Sequence, residues 1–388
     1  MTAALRAAAA QWAAARGCRN EAVAVLCDGP TTTCSDDMQL LLAAMPAAHL
    51  LPEYRSYDKR DGVLLALPLA TYAYSESASA HAALLSRLAA LVAAGAAPRS
   101  DLLGVGWISH KRYLLELARA GLPVVPTALV RGGPSAETAA RLDAACMRLE
   151  PECEAARADG RCVYVVKPAL GSLGDGVELL PGPRIGPRCA DGQGGGGRGA
   201  TPPRAAADCT AADDDAADDD ECVRAGAIGA LDRGHDMLVQ PFLPAVRRCG
   251  ELCYVFVHGQ LAHAVRKEPG GWGARATTDT PGEKEEGGGA PSGLCRHVSS
   301  DQPVSRVPAD EALVEQSRAA LAHAAAACGA QLPFYAARVD WLPSLDGSWR
   351  ISEVEIGWAD LFLHLMSEDE VLAVAAQLRA HLPEPPGT

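Results

Sequence analysis

Short apolar runs alternate with longer amphipathic segments over the first hundred residues of the chain. Residues 22–27 and 62–68 have the uninterrupted apolar character of buried strands, whereas 36–45 and 78–95 have the apolar spacing of helices. Strands that alternate with helices are typical of a parallel sheet covered by helices. We therefore predict a small α/β domain over residues 1–103.

The pattern changes after residue 104, where strands dominate. A helix is predicted to begin near Ser109 and to end at Gly121, because glycine is favoured immediately after a helix. Apolar runs and two-residue alternation then predict strands at 163–167, 177–180, 237–244, 336–342 and 349–356, and a hairpin over 250–267 that turns at His258-Gly259-Gln260.

Two segments lack any hydrophobic period. Residues 182–228 contain a glycine run and an acidic run, and residues 281–293 are a shorter segment of the same kind. Such compositions bury too little apolar surface to offset the entropy of ordering, so both are predicted to be disordered insertions. Within the first, residues 191–221 carry nine acids and two arginines. Their net charge of −7 is more than half of the net charge of −13 of the whole chain. An acidic run can bind cations, but a solvated loop is the simpler interpretation.

Composition excludes several classes of protein. No basic stripe interleaved with aromatic residues is present, which argues against a nucleic-acid partner. No apolar run reaches the ~18–20 residues of a membrane span. The 13 cysteines lack zinc-like spacing and no secretory signal precedes them, so we predict reduced thiols and a cytoplasmic location. Three arginines and no acid in the first twenty residues are also typical of organelle targeting, although an alanine-rich helix of the fold is the simpler interpretation.

A glycine-rich loop follows the strand that carries Lys167. Its small residues are Gly171, Ser172, Gly174 and Gly176. Glycines allow backbone N–H groups to approach an anion closely, so the loop predicts a flap over phosphates with Lys167 beside it. The glycine spacing and the following strand differ from a dinucleotide fingerprint, and the Lys-Ser/Thr of a P-loop is missing. A kinase would place its lysine after the glycines. A solvent-exposed hairpin remains the alternative.

Three acids lie on the predicted hairpin near the end of the chain. Strand alternation places Glu353 and Glu355 on one face, and Asp340 can face them across the ladder. Three converging carboxylates repel unless a cation lies between them, and Mg²⁺ prefers oxygen ligands. Ordinary surface acids are the alternative, but the apolar neighbours Val354 and Ile356 indicate a buried segment.

The order of these segments resembles the ATP-grasp superfamily, and most of all the prokaryotic glutathione synthetases and the O-ureidoserine cyclo-ligase of cycloserine biosynthesis. The resemblance covers roughly 104–182 and 229–366. Its most specific motifs are HisLysArgTyrLeuLeuGluLeu, ValValLysProAlaLeuGlySerLeuGlyAspGlyVal, GlnProPheLeuPro, ArgValAsp and GluValGlu. The resemblance implies an ATP-grasp domain over 104–380, whose two α+β subdomains grip ATP, and a pre-ATP-grasp α/β domain over 1–103.

The resemblance also implies an activity and its residues. ATP would phosphorylate a small carboxylate substrate, and an amine would then displace phosphate, with both substrates amino-acid-like or peptide-like and a homo-oligomer compatible with the family. The nucleotide would be bound by Lys111, Lys167, Gly171, Ser172, Gly174, Gln240, Phe242, Leu243 and Glu251. Lys267 and Arg338 would be the catalytic cations, and Asp340, Glu353 and Glu355 would hold Mg²⁺ or Mn²⁺.

The chain departs from the family pattern at three places. Relatives carry asparagine just before Lys111, where this chain has Ser109-His110, and their third acidic ligand is often asparagine rather than Glu355. Only Arg275 matches the basic stretch that follows Lys267 in relatives. These departures affect the prediction of which substrate is bound more than the prediction of nucleotide binding. A non-catalytic ATP-binding protein and a kinase-like phosphotransferase are the alternatives, but a binding-only protein has no need of the full acidic cluster.

Overall fold

The computed structural model describes residues 21–27, 44, 50–56, 66–70, 73–75, 77–93, 98–134, 136–155, 161–171, 176–183, 216–268, 303–357 and 359–379. Among these residues, no helix is both long enough and apolar enough to cross a membrane. The predicted helix at 36–45, except for residue 44, and the predicted insertion at 281–293 lie outside the described residues.

A three-stranded parallel sheet forms the first structural unit. Its strands are β1 (Glu21–Cys27), β2 (Leu50–Ser56) and β3 (Ala66–Ala70), in the order β2-β1-β3. The helix α1 (Ala78–Ala93) follows. The predicted parallel sheet is therefore confirmed, and residues 62–65 of the predicted second strand lie outside the described residues. Strand β2 was missed because its apolar start is followed at once by polar residues.

Two short helices connect this sheet to the rest of the chain. They are α2 (Arg99–Ile108) and α3 (Tyr113–Arg119). The single helix predicted from Ser109 to Gly121 is wrong at its start, because residues 109–112 form a turn whose Lys111 N–H donates to Ala169 O at 2.7 Å. Its end is as predicted, with Gly121 at φ +83°. The predicted domain boundary at 103/104 falls inside α2, and the division into domains stays a prediction.

A four-stranded antiparallel sheet forms the second layer. It comprises β4 (Ala128–Val130), β5 (Val163–Pro168), β6 (Glu178–Pro181) and β7 (Met237–Pro241), in the order β4-β7-β5-β6. Two helices pack on it, α4 (Thr138–Leu149) and α5 (Ala216–Asp232). Their buried side chains share one apolar core with the sheet, so the strand that carries Lys167 is braced from behind.

Helix α5 corrects one prediction. The predicted disorder over 182–228 is wrong for residues 216–228, which belong to this helix, while 184–215 lie outside the described residues. Val223, Ala227 and Leu231 recur every four residues and pack into the core of the four-stranded sheet. This spacing is an apolar helical stripe, but the acidic and alanine-rich composition around it conceals the period.

A five-stranded antiparallel sheet forms the third layer. Its strands are β8 (Glu251–Val257), β9 (Gln260–Lys267), β10 (Val304–Val307), β11 (Ala336–Pro343) and β12 (Trp349–Ile356), in the order β10-β9-β8-β11-β12. The β8–β9 hairpin turns at His258 and Gly259, both with positive φ, as predicted. Helix α6 (Val246–Cys249) precedes the sheet, α7 (Glu311–Cys328) packs on it, and α8 (Glu368–Arg379) closes the described chain.

Short connections hold this sheet against its neighbours. The segment before β4 pairs with the edge of β12, where Val125 N–H donates to Ile351 O at 3.0 Å and Ile351 N–H donates to Pro123 O at 2.7 Å. At the other end of β12, Gly104 of α2 lies so close to the strand that a Cβ at this position would clash with the side chain of Ile356. These contacts fix the β11–β12 hairpin relative to the turn that carries Lys111.

Candidate active site

The three predicted acids meet on the β11–β12 hairpin. The strand register pairs Asp340 with Glu353, and one oxygen from each of Asp340, Glu353 and Glu355 lies within 4.8 Å of the other two. Asp340 is buried, whereas the two glutamates are partly exposed. Three carboxylate oxygens at this spacing are the hard donor set that Mg²⁺ takes in proteins, so the residues fit such an ion.

Arg338 organises this acidic group. Its Nε donates to Asp340 Oδ1 at 2.7 Å, and its Nη2 donates to Asp340 Oδ2 at 2.8 Å and to Glu355 Oε1 at 2.9 Å. Its Nη1 donates to the backbone oxygen of Asp360 at 3.1 Å. Every terminal nitrogen of the buried guanidinium therefore has a partner, so its orientation is set before any ligand arrives.

The acids differ in how readily they ionise. Burial opposes ionisation of Asp340, but attraction to Arg338 and Lys267 holds the pKa of this carboxyl well below its usual range. Burial likewise opposes the charge of Glu353, yet Lys111 and Lys167 lower its pKa. At Glu355, burial outweighs the attraction of Arg338 and raises the pKa to about 7. Neighbouring cations thus lower the pKa of Asp340 and Glu353, whereas burial raises that of Glu355.

Two lysines approach the acids from outside the hairpin. Lys111, on the turn between α2 and α3, forms an ion pair with Glu353. Lys167, on β5, has no salt-bridge partner within 4.0 Å among the described residues, although Glu353 lies near enough to influence its pKa. Burial lowers the pKa of Lys167 to about 8. Within the described part of the chain, this lysine therefore lies next to an acidic group without a direct ion pair to it.

Lys267 lies in a second cluster of ligand-type atoms. Its Nζ is 3.4 Å from Glu251 Oε2 and 3.7 Å from Asp340 Oδ2. Glu251, Cys253 and Asp340 also place one ligand atom each within 4.8 Å of the others. Because the ammonium group already contacts two of these three side chains, we interpret this cluster as the counter-ion set of Lys267 rather than as another metal site.

The residues predicted for adenine lie at the end of β7. Gln240 is buried, and its Nε2 donates to Thr127 Oγ1 at 2.8 Å. The Phe242 N–H donates to Val163 O at 3.0 Å, and Leu243 O accepts from the Val246 N–H at 3.2 Å. These groups are bonded within the fold, so contact with a base would use other atoms of the same segment. Their assignment to adenine remains a prediction.

The glycine-rich loop is described at its two ends. Strands β5 and β6 pair antiparallel, with Val166 opposite Glu178, as predicted for a hairpin. Gly171 is partly buried, whereas Ser172 and Gly174 lie outside the described residues. Gly176 has φ +67°, and a Cβ there would lie 3.0 Å from Pro168 Cγ. A glycine is therefore required where the chain leaves the loop.

Sequence reasoning missed two aromatic residues at this site. The buried hydroxyl of Tyr113 accepts a hydrogen bond from the Val354 N–H at 3.0 Å, which anchors β12 between Glu353 and Glu355. Tyr113 lies within the HisLysArgTyr motif, so its position there was a usable signal. The ring of Phe362 lies over Arg338 and Lys267, and no motif in the sequence marks it.

Fold and site together define the class of protein. A parallel sheet precedes two antiparallel sheets with packed helices, and the acidic hairpin of the five-stranded sheet is contacted by Lys111 and Lys267. This arrangement is the one expected for the ATP-grasp fold, so the predicted fold class is confirmed.

The chain is similar to known proteins in sequence and in fold. No family model matches the chain. It is 28% identical to the cycloserine biosynthesis protein DcsG of Streptomyces lavendulae over 278 residues, which are 72% of this chain and 71% of that protein. Its fold is similar to the crystal structure of D-cycloserine synthetase DcsG, with a TM-score of 0.64 and 20% identity over 92% of this chain and 99% of the other.

Proposed function

We propose that the protein is an ATP-dependent carboxylate–amine ligase. The carboxylate substrate takes the γ-phosphoryl group of ATP, which forms an acyl phosphate and releases ADP. An amine then attacks the acyl carbon, and phosphate leaves as the amide-type bond forms. The observation that carries the proposal is the buried hairpin, where Asp340, Glu353 and Glu355 converge within 4.8 Å beside Lys267 and other cations. Phosphoryl transfer needs such positioned charge rather than a protein nucleophile.

The nucleotide phosphates would contact Lys111 and Lys167. Lys167 lacks a salt bridge within the described part of the chain, and Lys111 can exchange Glu353 for a phosphate oxygen. The loop residues Gly171, Ser172 and Gly174 would cover the phosphates with backbone N–H groups. The segment of Gln240, Phe242 and Leu243 would contact adenine, and Glu251 would accept hydrogen bonds from the ribose.

Asp340, Glu353 and Glu355 would hold Mg²⁺, or Mn²⁺ in its place. When bound, the ion neutralises charge on the phosphate oxygens. Arg338 and Lys267 would stabilise the negative charge that develops on the transferred phosphoryl group. Since Arg338 is already oriented by Asp340 and Glu355, little reorganisation is needed when that charge forms.

The substrates would be small, amino-acid-like or peptide-like molecules. The sequence similarity to a cycloserine biosynthesis protein supports this proposal. The chain's departures around Ser109 and His110 lie beside Lys111, where a different substrate would be recognised. A cytoplasmic location and assembly into a homo-oligomer remain predictions from the sequence.

A screen for ADP release with pairs of carboxylic acids and amines tests this function. We expect ADP and amide product only when both substrates are present, and none from Lys111→Met. Arg112→Met is the matched control, because this neighbouring side chain is 60% exposed and, among the residues that the structure describes, its ion pair is with Glu116 at 4.0 Å. AMP instead of ADP, or a stable phosphorylated product, would refute ligase chemistry. Tight nucleotide binding without turnover across the panel would favour a non-catalytic ATP-binding protein.

A further inference from the structure

A short segment after β12 crosses the two catalytic cations. We call residues 359–366 the strap. Its side chains Ala359, Leu361, Phe362, Leu363 and Met366 are buried. The ring centroid of Phe362 lies 5.4 Å from Arg338 Cζ and 6.0 Å from Lys267 Nζ, so one aromatic ring lies against both cations. The ring has no role in the proposed phosphoryl transfer or in nucleotide binding.

Hydrogen bonds fix the strap backbone on both sides of Phe362. Before it, the Asp360 carbonyl accepts from Arg338 Nη1 at 3.1 Å, and the Leu361 carbonyl lies 2.9 Å from His263 Nε2. A carbonyl only accepts, so Nε2 of His263 carries the hydrogen. After it, the Phe362 carbonyl accepts from the Leu365 N–H at 3.0 Å. These hydrogen bonds hold the backbone on both sides of the ring.

The backbone of Phe362 is itself unusual. Its φ is 50° and its ψ is 43°, in the left-handed region that large side chains rarely adopt. Such a conformation persists when the surroundings over-determine it, and it clusters at functional sites. Here the conformation directs a side chain that is only 5% exposed onto the cations. A residue selected only for turn formation would be glycine or asparagine.

An apolar ring beside two buried cations has a specific chemical consequence. A polar side chain in this place would bring water or a competing hydrogen bond to Arg338 and Lys267. Water is the competing nucleophile for an acyl phosphate. If it attacks, the acyl–oxygen bond breaks, carboxylate and phosphate are regenerated, and the net reaction is ATP plus water giving ADP and phosphate. Excluding water from a reactive intermediate is a known role of closed, apolar site walls.

We propose that Phe362 is a positioning residue that keeps Arg338 and Lys267 dry, so that the amine rather than water captures the acyl phosphate. This inference rests on the proposed ligase function. Phe362 does not bind the substrates in this proposal. It acts through the two cations and through the water it displaces, and the strap holds it there before any ligand binds.

The test compares two substitutions of Phe362 in the full-length protein. Phe362→Asn suits the left-handed backbone but is polar, whereas Phe362→Leu keeps an apolar side chain without an aromatic face. ADP and amide product are measured in the same reaction. We expect wild type and Phe362→Leu to release close to one ADP per product. We expect Phe362→Asn to raise that ratio about threefold or more, because water reaches the intermediate.

Controls separate this effect from a general loss of structure. Leu345→Asn makes the same type of change at a side chain that is 51% exposed on the β11–β12 turn, and its ratio should equal that of wild type. If Phe362→Asn does not fold, Phe362→Gly replaces it in the test. Glycine suits the left-handed backbone, and removing the ring leaves space for water beside the two cations. An unchanged ratio in the polar variant overturns the inference, as does equal uncoupling in Phe362→Leu. Absence of any product from wild type would instead refute the ligase function.

Discussion

Replacing Asp340 by alanine should separate the structural role of the acidic hairpin from its role in turnover. Asp340 is 1% exposed and accepts two hydrogen bonds from Arg338, and Lys267 Nζ lies 3.7 Å away. The substitution leaves both cations buried and deprived of their shared counter-ion. Glu355 still contacts Arg338, and Glu251 still contacts Lys267, so part of the compensation survives.

The expected loss of stability follows from this burial. Removing one partner of a buried ion pair costs about 3–5 kcal/mol, and the surviving glutamates place Asp340→Ala near the lower end of that range. Glu353→Ala is the matched comparison. Its side chain is 30% exposed, so solvent screens its charge, but its partner Lys111 is only 13% exposed, and we expect an intermediate loss of about 1–2 kcal/mol. Strand pattern alone predicts little loss of folding for either variant.

Urea unfolding without nucleotide or metal measures the stability difference, and ADP release measures turnover. Both variants should lose turnover, because each removes a proposed Mg²⁺ ligand, but Asp340→Ala should unfold at a lower urea concentration than Glu353→Ala. Equal stability losses in the two variants would refute the role assigned to the Arg338–Asp340–Lys267 network. Full turnover in either variant would refute its proposed metal role.

Two further predictions address Lys167 and α5. Burial lowers the pKa of Lys167 to about 8, so its charge is lost as the pH rises through that value. Above pH 8, ATP affinity should fall by up to about tenfold per pH unit. Lys167→Arg should flatten this dependence of ATP affinity on pH, because a guanidinium group keeps its charge. The same pH dependence in wild type and variant would contradict the prediction. Deleting residues 191–215 should leave thermal stability unchanged, whereas Leu231→Ala, at a fully buried position, should cost about 2–5 kcal/mol in urea unfolding.

Sequence patterns predicted the strands of the site well because their signals are local. Two-residue alternation at 336–342 and 349–356 places Asp340 and Glu353 on one face, and the observed register pairs them directly. The turn at His258-Gly259 has the same local origin. Such features depend on neighbours along the chain, so they can be inferred without knowing which sheets pack together.

Helix boundaries near the site were less predictable. The turn at 109–112 interrupts an otherwise continuous helical pattern because Lys111 hydrogen-bonds to Ala169, which is distant in sequence. Helix α5 shows the opposite case, since its apolar stripe has meaning only against the core of the four-stranded sheet. In both cases a tertiary contact decides between local structures of similar propensity.

By itself, the sequence determined the order of the chemical segments, which are the lysine strand, the glycine-rich loop and the acidic hairpin, and with it the resemblance to ATP-grasp proteins. Only the tertiary structure decided which charges neutralise one another. It pairs Arg338 with Asp340 and leaves Lys167 without a salt bridge among the described residues. It also places Phe362 over two cations. The physical reason is that charge pairing and water exclusion depend on distance and burial in space, which strand periodicity does not encode.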